Sequence, residues 1–428
     1  MKTSSLKRLA AGISKVLWTG LLAAAISASP LSAADPVWTG GGGDANWSTA
    51  ANWDTGVAPV PANTDSVTFN GTTQQTSNND LGFGYYTGIT FANGGFTMNG
   101  MTAGLTGNIA STGENTISSG LVLGGGGLRQ ISSASGTLTI DGSLNFQGLT
   151  LQDNSAGTTV YNTTFNSAGA FRVFSTGQTV LGGDNSGYDG AIQVFRFAKL
   201  THASGLGGAS TTTTIDRSYG NAAVDLNGLA VSGVNVSFTA AEVPASAALA
   251  RLRNTSATAA SFSGNISLAV TGGVDGTGDI TLSGTISGSG TGLVKEDAGT
   301  LRLTGANTFT GGTSVNVGTL LVNNTTGSAT GTGAVDVSAV GAFGGTGSVS
   351  GAVTLNNASI RPGDGGIGTL STGTVTWNGG VNSWLFDLSP TPGTSDLLSI
   401  TGDFTKGTGS LFSFDFQGGG AVGVYTLV

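Results

Sequence analysis

The stretch "LRLTGANTFTGGTSVNVGTLLVNN", from Leu301 to Asn324, carries the pattern that decides the fold. Its apolar residues often lie two apart, which is the period of a strand with one buried face. Gly and Asn between them tolerate the left-handed backbone of tight turns. The pattern predicts short strands joined by tight turns, so we interpret the polar residues as conformational. The apolar set is Leu301, Leu303, Phe309, Val315, Val317, Leu320 and Val322.

An upstream segment, "LGGDNSGYDGAIQV" (Leu181 to Val194), is a degraded copy of this pattern. Shorter pieces recur as "GTLTIDGSLNFQG" (136–148), "GDITLSGTISGSG" (278–290) and "GAVTLNNASIRPG" (351–363). Repetition without a strict period is typical of an irregular solenoid. With one inserted residue, Leu181, Gly183, Asn185, Tyr188, Gly190 and Val194 align with Leu303, Gly305, Asn307, Phe309, Gly311 and Val315.

These repeats predict an all-β fold, a parallel β-helix in which coils stack like residues on like residues. Roughly 20 to 25 residues per coil would give about a dozen coils between residues 100 and 375. Hairpin turns leave a β-sandwich open as an alternative at either end. The turns in question are Asn70-Gly71, Asn99-Gly100, Asp141-Gly142 and Asn378-Gly379.

Composition supports a folded β protein. Gly accounts for 75 of 428 residues and charged residues for only 9%, which argues against long amphipathic helices. A mean hydropathy of +0.17 and 19 Phe residues argue against disorder. The chain has no Cys, so thiol catalysis and Cys metal sites are excluded.

The first 34 residues have the pattern of a signal peptide. Basic residues precede the apolar segment "VLWTGLLAAAISA" (16–28), and small residues follow, which predicts export and cleavage after Ala33 or Ala34. The remainder has 11 basic and 23 acidic residues, a net charge of −12. Such a surface disfavours nucleic acid and anionic lipid as partners.

Tryptophan marks both ends of the mature chain. Because solenoids need capping modules, we assign these residues to cap cores: Trp38, Trp47, Trp53, Trp377 and Trp384. The domain prediction is a signal peptide at 1–34, an N-terminal cap at 35–100, a β-helix at 101–375 with the clearest repeat at 278–375, and a C-terminal β cap at 376–428. Truncation of that cap is an open alternative.

The segments 292–324 ("GLVKEDAGTLRLTGANTFTGGTSVNVGTLLVNN") and 331–363 ("GTGAVDVSAVGAFGGTGSVSGAVTLNNASIRPG") resemble the autotransporter-associated beta-strand repeat of bacterial exported surface proteins. The opening "VWTGGGGDANWSTAANWDTG" (37–56) and "DSVTFNG" (65–71) look like the start of such proteins. The resemblance implies a right-handed β-helical stalk outside the cell and transfers no catalytic residue.

The chain departs from that family in two respects. No long run of alternating strands for a translocator barrel follows the repeat, and no apolar anchor with a basic end is recognised. The last residues, "GVYTLV", read like a strand interior, so we expect a fragment of a longer protein or an unidentified anchor.

Candidate chemical groups are few. His202 in "LTHASG" is the only His, and no G-x-S-x-G elbow accompanies it, so we interpret it as structural or surface-exposed. One His and no Cys exclude zinc. Calcium ligands could come from Asp184 with Asp189 or from Asp275 with Asp279, although neither pair has a recognised calcium spacing. Solvated turn aspartates are the simpler interpretation.

Other patterns have weaker functional readings. Arg361 near Asp364 is the nearest approach to lyase chemistry, but Pro362 and three Gly predict a turn there. The Gly runs at 40–43 and 124–127 open no credible helix and are read as turns, not phosphate loops. Trp377 and Trp384 could form a sugar platform, but we favour burial.

The sequence therefore predicts an exported structural or adhesive β-helical protein, extracellular or at the cell surface, without catalytic, cofactor or metal residues. Extracellular polysaccharide or other cell-surface molecules are the expected partners, and the membrane is reached only through an unidentified anchor. The alternatives are a polysaccharide-binding or polysaccharide-degrading β-helix, and a passenger fragment that awaits a translocator.

Overall fold

The computed structural model describes residues 35–240, 248–391, 393–420 and 424–428, and the predicted signal peptide lies outside them. The described part is all-β, and its single helix is a short 3-10 turn at Ala50–Asn52. Every paired strand ladder among these residues is parallel. The predicted β-helix is confirmed as a parallel solenoid of about 14 coils, and neither end forms the alternative sandwich.

Successive coils stack in register, one strand of each coil above the equivalent strand of the coil before. Thr137 pairs with Thr158, 21 residues later, and Leu293 pairs with Thr313, 20 residues later. This spacing agrees with the predicted coil length. Because successive side chains of a strand point to opposite faces, alternate residues of most strands face the solenoid interior.

The strands form three sheets. Sheet A contains Val37–Trp38, Ser66–Phe69, Tyr85–Phe91, Ala103–Thr112, Leu121–Leu123, Leu128–Ser135, Leu144–Asn145, Thr150–Asp153, Phe165–Asn166, Ala170–Val173, Ala191–Val194, Thr212–Asp216, Asn235–Thr239, Ile266–Leu268 and Ile286–Ser287. Sheet C contains Thr369–Thr372 and Leu397–Ile400.

Sheet B is the largest and continues along both the middle and the C-terminal part of the chain. It contains Thr76–Asn79, Thr97–Gly100, Asn115–Ile117, Thr137–Ile140, Thr158–Tyr161, Gln178–Leu181, Phe197–Leu200, Ala222–Asp225, Ala230–Val231, Ala250–Arg253, Ala260–Phe262, Gly272–Asp275, Ile280–Leu282, Leu293–Lys295, Thr300–Leu303, Thr313–Val322, Val335–Gly345, Val353–Asn356, Ser359–Pro362, Val375–Asn378, Trp384–Leu388, Phe404–Lys406 and Phe414–Gly418.

The stretch that decides the fold spans two neighbouring coils. Leu301 pairs with Leu320 and Leu303 with Val322, and all four side chains are buried. The strand Thr313–Val322 also pairs with Leu293–Lys295 through its first residues, so it passes around a corner. A register shift between Val315 and Val317 marks that corner and leaves Val317 exposed.

Buried asparagines connect neighbouring coils at the corners. Asn307 Oδ1 accepts the Ile286 N–H at 2.7 Å, and its Nδ2 donates to the Ala329 carbonyl at 2.5 Å. Asn185, aligned with Asn307 in the sequence, accepts the Phe165 N–H at 2.8 Å in the same way and donates to Gly205 O. Each amide therefore connects the coil before it with the coil after it.

Aromatic residues fill the first coils. Trp38, Trp47 and Trp53 are buried and meet edge to face, with ring centroids 5.1 Å and 5.7 Å apart in the two pairs that share Trp53. Phe69 packs against all three. The predicted burial of these tryptophans is confirmed. The parallel stacking runs on across residues 100 and 375, and the division into modules stays a prediction.

Candidate functional site

The outer face of sheet B carries a cluster of ion pairs. Arg251 and Arg253 lie beside each other on one strand, and both contact Asp275 on the next strand at 3.1 Å and 3.2 Å. Arg251 also pairs with Glu296 one coil further on, at 2.9 Å. Burial raises the pKa of Asp275, although the two arginines oppose that shift. The cluster connects three coils through side chains as well as backbone.

A second cluster spans a longer stretch of sequence. Arg302 contacts Asp279 at 3.0 Å and Asp364, 62 residues away, at 2.9 Å. Asp364 also accepts a hydrogen bond from Asn323. The hydrogen bond from Arg302 lowers the pKa of Asp364. The turn after Pro362 is therefore held against the outer face by charge.

Arg361 and Asp364, the nearest approach to lyase chemistry in the sequence, form no ion pair with each other. Arg361 pairs instead with Asp387 at 2.8 Å, while Asp364 is taken by Arg302. Both residues line one open groove of about 480 Å³, together with Phe343 and Leu385. Because each carboxylate already faces an arginine, the arrangement resembles a structural salt-bridge network more than a general base with a free partner.

The calcium candidates are engaged locally. Asp184 accepts the Ser186 N–H at 3.0 Å, and that bond lowers its pKa, while Asp189 is exposed in the same turn. Asp275 and Asp279 belong to the two arginine clusters. Within the described segments, no three His, Asp or Glu side chains lie together as a metal site would require. The calcium hypothesis stays untested.

His202 and the two glycine runs lie in turns. The Nδ1 atom of His202 accepts the N–H of Ser204 at 3.2 Å. The 124–127 run joins the strands that end at Leu123 and begin at Leu128, and Gly125 and Gly127 have positive φ. Neither run precedes an α-helix in the described structure. These residues shape the backbone, in agreement with their interpretation from sequence.

Trp377 and Trp384 are buried rather than displayed. Their rings stack with centroids 4.0 Å apart, and they are 3% and 0% exposed. Neither ring offers a face to a sugar, so the interpretation as buried residues is confirmed. Phe404, Phe414 and Phe416 are the exposed aromatics of this end.

Sequence reasoning missed a lysine at a core position. Lys295 occupies the ladder position of Val274 and Val315, and it is buried. Its Nζ donates to the carbonyls of Glu296 and Asp297, both at 2.6 Å. Burial lowers its pKa to about 8. The alternation of apolar residues would have predicted an aliphatic residue here.

Sequence reasoning also missed a groove on sheet B. It measures about 280 Å³ and is lined by Gln178, Phe197, Lys199, Ala223 and Arg253, among others. The signal that could have found it is the distribution of basic residues, since six of the eleven beyond residue 34 lie between residues 172 and 253. The groove joins residues from four coils, which no local motif reveals.

Comparison with known proteins bears on the coil that contains Arg302. Residues 293–322 match the model of the Passenger-associated-transport-repeat. They cover the strands Leu293–Lys295, Thr300–Leu303 and Thr313–Val322.

The described chain is a β-helix that is similar, over residues 293–322, to the repeats of autotransporter passengers. A relative of this β-helix is the Adhesin BmaC autotransporter of Brucella suis biovar 1 (strain 1330), which is 56% identical over 59 residues. That match covers 13% of this chain and 2% of the relative's length. No solved structure matches the chain. In its described residues, no helix has the length and apolar character needed to cross a membrane.

Proposed function

We propose that this chain is an exported adhesive protein of the bacterial surface, in which the solenoid displays binding surfaces and performs no catalysis. The observation that carries the proposal is the passenger-type repeat built into a continuous parallel ladder. The similarity to an autotransporter adhesin supports the adhesive role.

The described surface favours display over chemistry. Several ionisable groups on sheet B are paired between coils, as in Arg251 with Asp275 and Arg302 with Asp364. Catalytic acids and bases need a partner group and a cleft that brings them to a substrate. Paired charges on an open face instead give a rigid, hydrophilic surface that several coils share. Polysaccharide degradation is therefore the less favoured alternative.

Surface location is tested on intact bacteria that express the full chain with an epitope tag at an exposed turn, such as Gly187. Added protease should remove the epitope from intact cells while a cytoplasmic marker survives. Deleting the gene should lower attachment of the cells to a host-cell or polysaccharide layer, and restoring it should recover attachment. An epitope that survives until the cells are broken open would contradict surface display.

A further inference from the structure

We infer that the groove beside Phe197 and Lys199 binds an acidic polysaccharide, and that the carboxylate groups of the polysaccharide make the contact. The inference rests on the proposed adhesive function and names its ligand class. Three neighbouring strands carry the residues at the centre of the groove. Phe197 pairs with Ala223 and Lys199 with Asp225, and these pair in turn with Arg251 and Arg253.

The shape of the groove follows from a small residue between large ones. Ala223 contributes only a methyl group, whereas Phe197 and Arg253 line the groove from the strands beside it. The two flanking strands lie about 10 Å apart, twice the usual strand spacing. The resulting trench is wide enough for one sugar ring with its substituents and too small for a stable protein interface, which buries about 1,600 Å².

Charge selects an acidic ligand. Arg251 and Arg253 are already neutralised by Asp275 and Glu296. Lys199 forms no ion pair with any residue that the structure describes. Lys199 lines the groove without an ion-pair partner among the described residues, beside Asp225, in a protein whose overall charge is negative.

One carboxylate lies on the groove floor. Asp225 accepts hydrogen bonds from the backbone N–H of Asn227 and from the N–H and hydroxyl of Thr255. Its charge is therefore partly satisfied by these donors. Its position on the floor also places it farther along the strand than Phe197, at the end beside Lys199. Because the oxygens of Asp225 already accept these hydrogen bonds, Lys199 is the group in the groove that a ligand carboxylate would contact.

Aromatic rings form a cluster at the neighbouring corner, and Tyr219 is its exposed member. Phe174 and Phe195 stack with centroids 4.3 Å apart, and Tyr219 meets them edge to face at 5.2 Å and 5.7 Å. These residues come just before the strands that carry Gln178, Phe197 and Ala223. Tyr219 is 54% exposed and Phe197 is 42% exposed. Aromatic faces beside a cation suit a ligand with both apolar ring faces and negative charge, such as a uronic acid chain.

The test uses the purified full chain and oligogalacturonate, with the fully methyl-esterified oligomer as an uncharged ligand of the same backbone. Calorimetry should show binding of the acid and at least tenfold weaker binding of the ester. Binding should also weaken as NaCl rises, because charge attraction is screened. Equal affinity for both oligomers, or no binding of either, would overturn the inference.

Two substitutions locate the site. Lys199→Gln and Tyr219→Ala should each weaken binding of the acid at least fivefold. Lys406→Gln is the matched control, since Lys406 is a cation at the far end of the ladder, over the ring of Phe412, and its loss should leave affinity unchanged. Because both test positions face outward, their circular dichroism and melting temperature should match the wild type. Unchanged affinity in both variants would place binding elsewhere and contradict the assignment.

The two proposals fail separately. Cells that display Lys199→Gln protein and attach as well as wild-type cells would remove this groove from adhesion while leaving the adhesive role in place. Protein protected from protease on intact cells would remove the adhesive role, whatever the purified chain binds.

Discussion

At the scale of single residues, buried polar groups decide how one coil attaches to the next. Asn185 and Asn307 each accept from the preceding coil and donate to the following one. A buried amide with satisfied partners stabilises a fold, whereas its loss leaves backbone groups unpaired. The sequence alignment of these two residues already suggested equivalent roles.

Replacing Asn307 by Ala should destabilise the chain by about 2 to 4 kcal/mol, because the Ile286 N–H and the Ala329 carbonyl lose their partner in a buried site. Urea unfolding followed by circular dichroism measures the change. Asn316→Ala is the control from the next turn, where the side chain is exposed, and it should change stability by less than about 0.5 kcal/mol. Equal effects would contradict a coil-linking role.

Asp153 is a carboxylate in an aliphatic ladder, in register with Ile131 and Val173. Its oxygens accept from the Ser155 N–H at 3.0 Å and the Thr179 hydroxyl at 2.8 Å. Burial raises its pKa above the ordinary value of 3.8, despite these hydrogen bonds. The folded chain therefore holds this proton more tightly than the unfolded chain does.

Measuring the stability of the wild type and of Asp153→Asn over a pH series should detect the contribution of that proton. A raised folded pKa contributes stability below about pH 4, and the contribution is lost as pH rises through the folded pKa. The stability of the wild type relative to Asp153→Asn should therefore fall as the pH rises above about 4. Melting temperatures by calorimetry measure it. Asp141→Asn, at an exposed site, should show no such trend, and a flat difference for Asp153→Asn would refute the assignment.

At the scale of elements, the corners determine how closely two coils approach. A Cβ atom on Gly183 would lie 1.8 Å from the Thr163 carbonyl oxygen, and one on Gly305 would lie 2.4 Å from the Gly284 oxygen. The two glycines were aligned in the sequence, and the structure gives both the same role, because the backbone of the preceding coil occupies the space that a side chain would need. The bulge at Val315 and Val317 is a corner of a different kind, in which an apolar residue turns outward.

Gly183→Ala should destabilise the solenoid by about 2 kcal/mol or more, since the added methyl group collides with backbone and not with a flexible side chain. Gly187→Ala in the same turn is the matched control, because no atom lies within 4 Å of its added Cβ. Thermal unfolding of both proteins measures the difference. Comparable melting temperatures would show that the coils separate easily at this corner.

At the scale of the whole described ladder, backbone pairing continues from coil to coil and its last strand has one free edge. Phe414–Gly418 pairs with Trp384–Leu388 and with no other described strand. Phe416 on that strand is 52% exposed. Free edges with apolar residues pair readily with other chains.

Purified protein should therefore associate at high concentration through this edge, and Phe416→Lys should reduce that association several-fold in light scattering. Val340→Lys is the control, since Val340 is more exposed, at 67%, but lies in a strand with neighbours on both sides. Equal effects of Phe416→Lys and Val340→Lys would indicate that an added charge raises solubility wherever it is placed, and would contradict association through the edge.

The sequence by itself determined the fold class, the coil spacing and the structural role of its glycines and asparagines. These properties depend on local alternation and on turn chemistry, which repeat along the chain and can be read without coordinates. The burial of Trp377 and Trp384 was also predicted from the sequence, because large apolar side chains are expected to cover the ends of a solenoid core. Val317 and Lys295 depart from the alternation of buried apolar and exposed polar residues. A corner bulge turns Val317 outward, and backbone carbonyls bind the ammonium group of Lys295 in a buried position.

Only the tertiary structure decided which side chains meet on the outer face. Arg302 reaches Asp364 across 62 residues, and Phe197, Ala223 and Arg251 become neighbours across 54. Coil lengths vary with each turn, so a register error of one residue would place every outward side chain inside. The partners of a surface residue therefore depend on the summed lengths of the coils between them, a quantity that local sequence pattern does not contain.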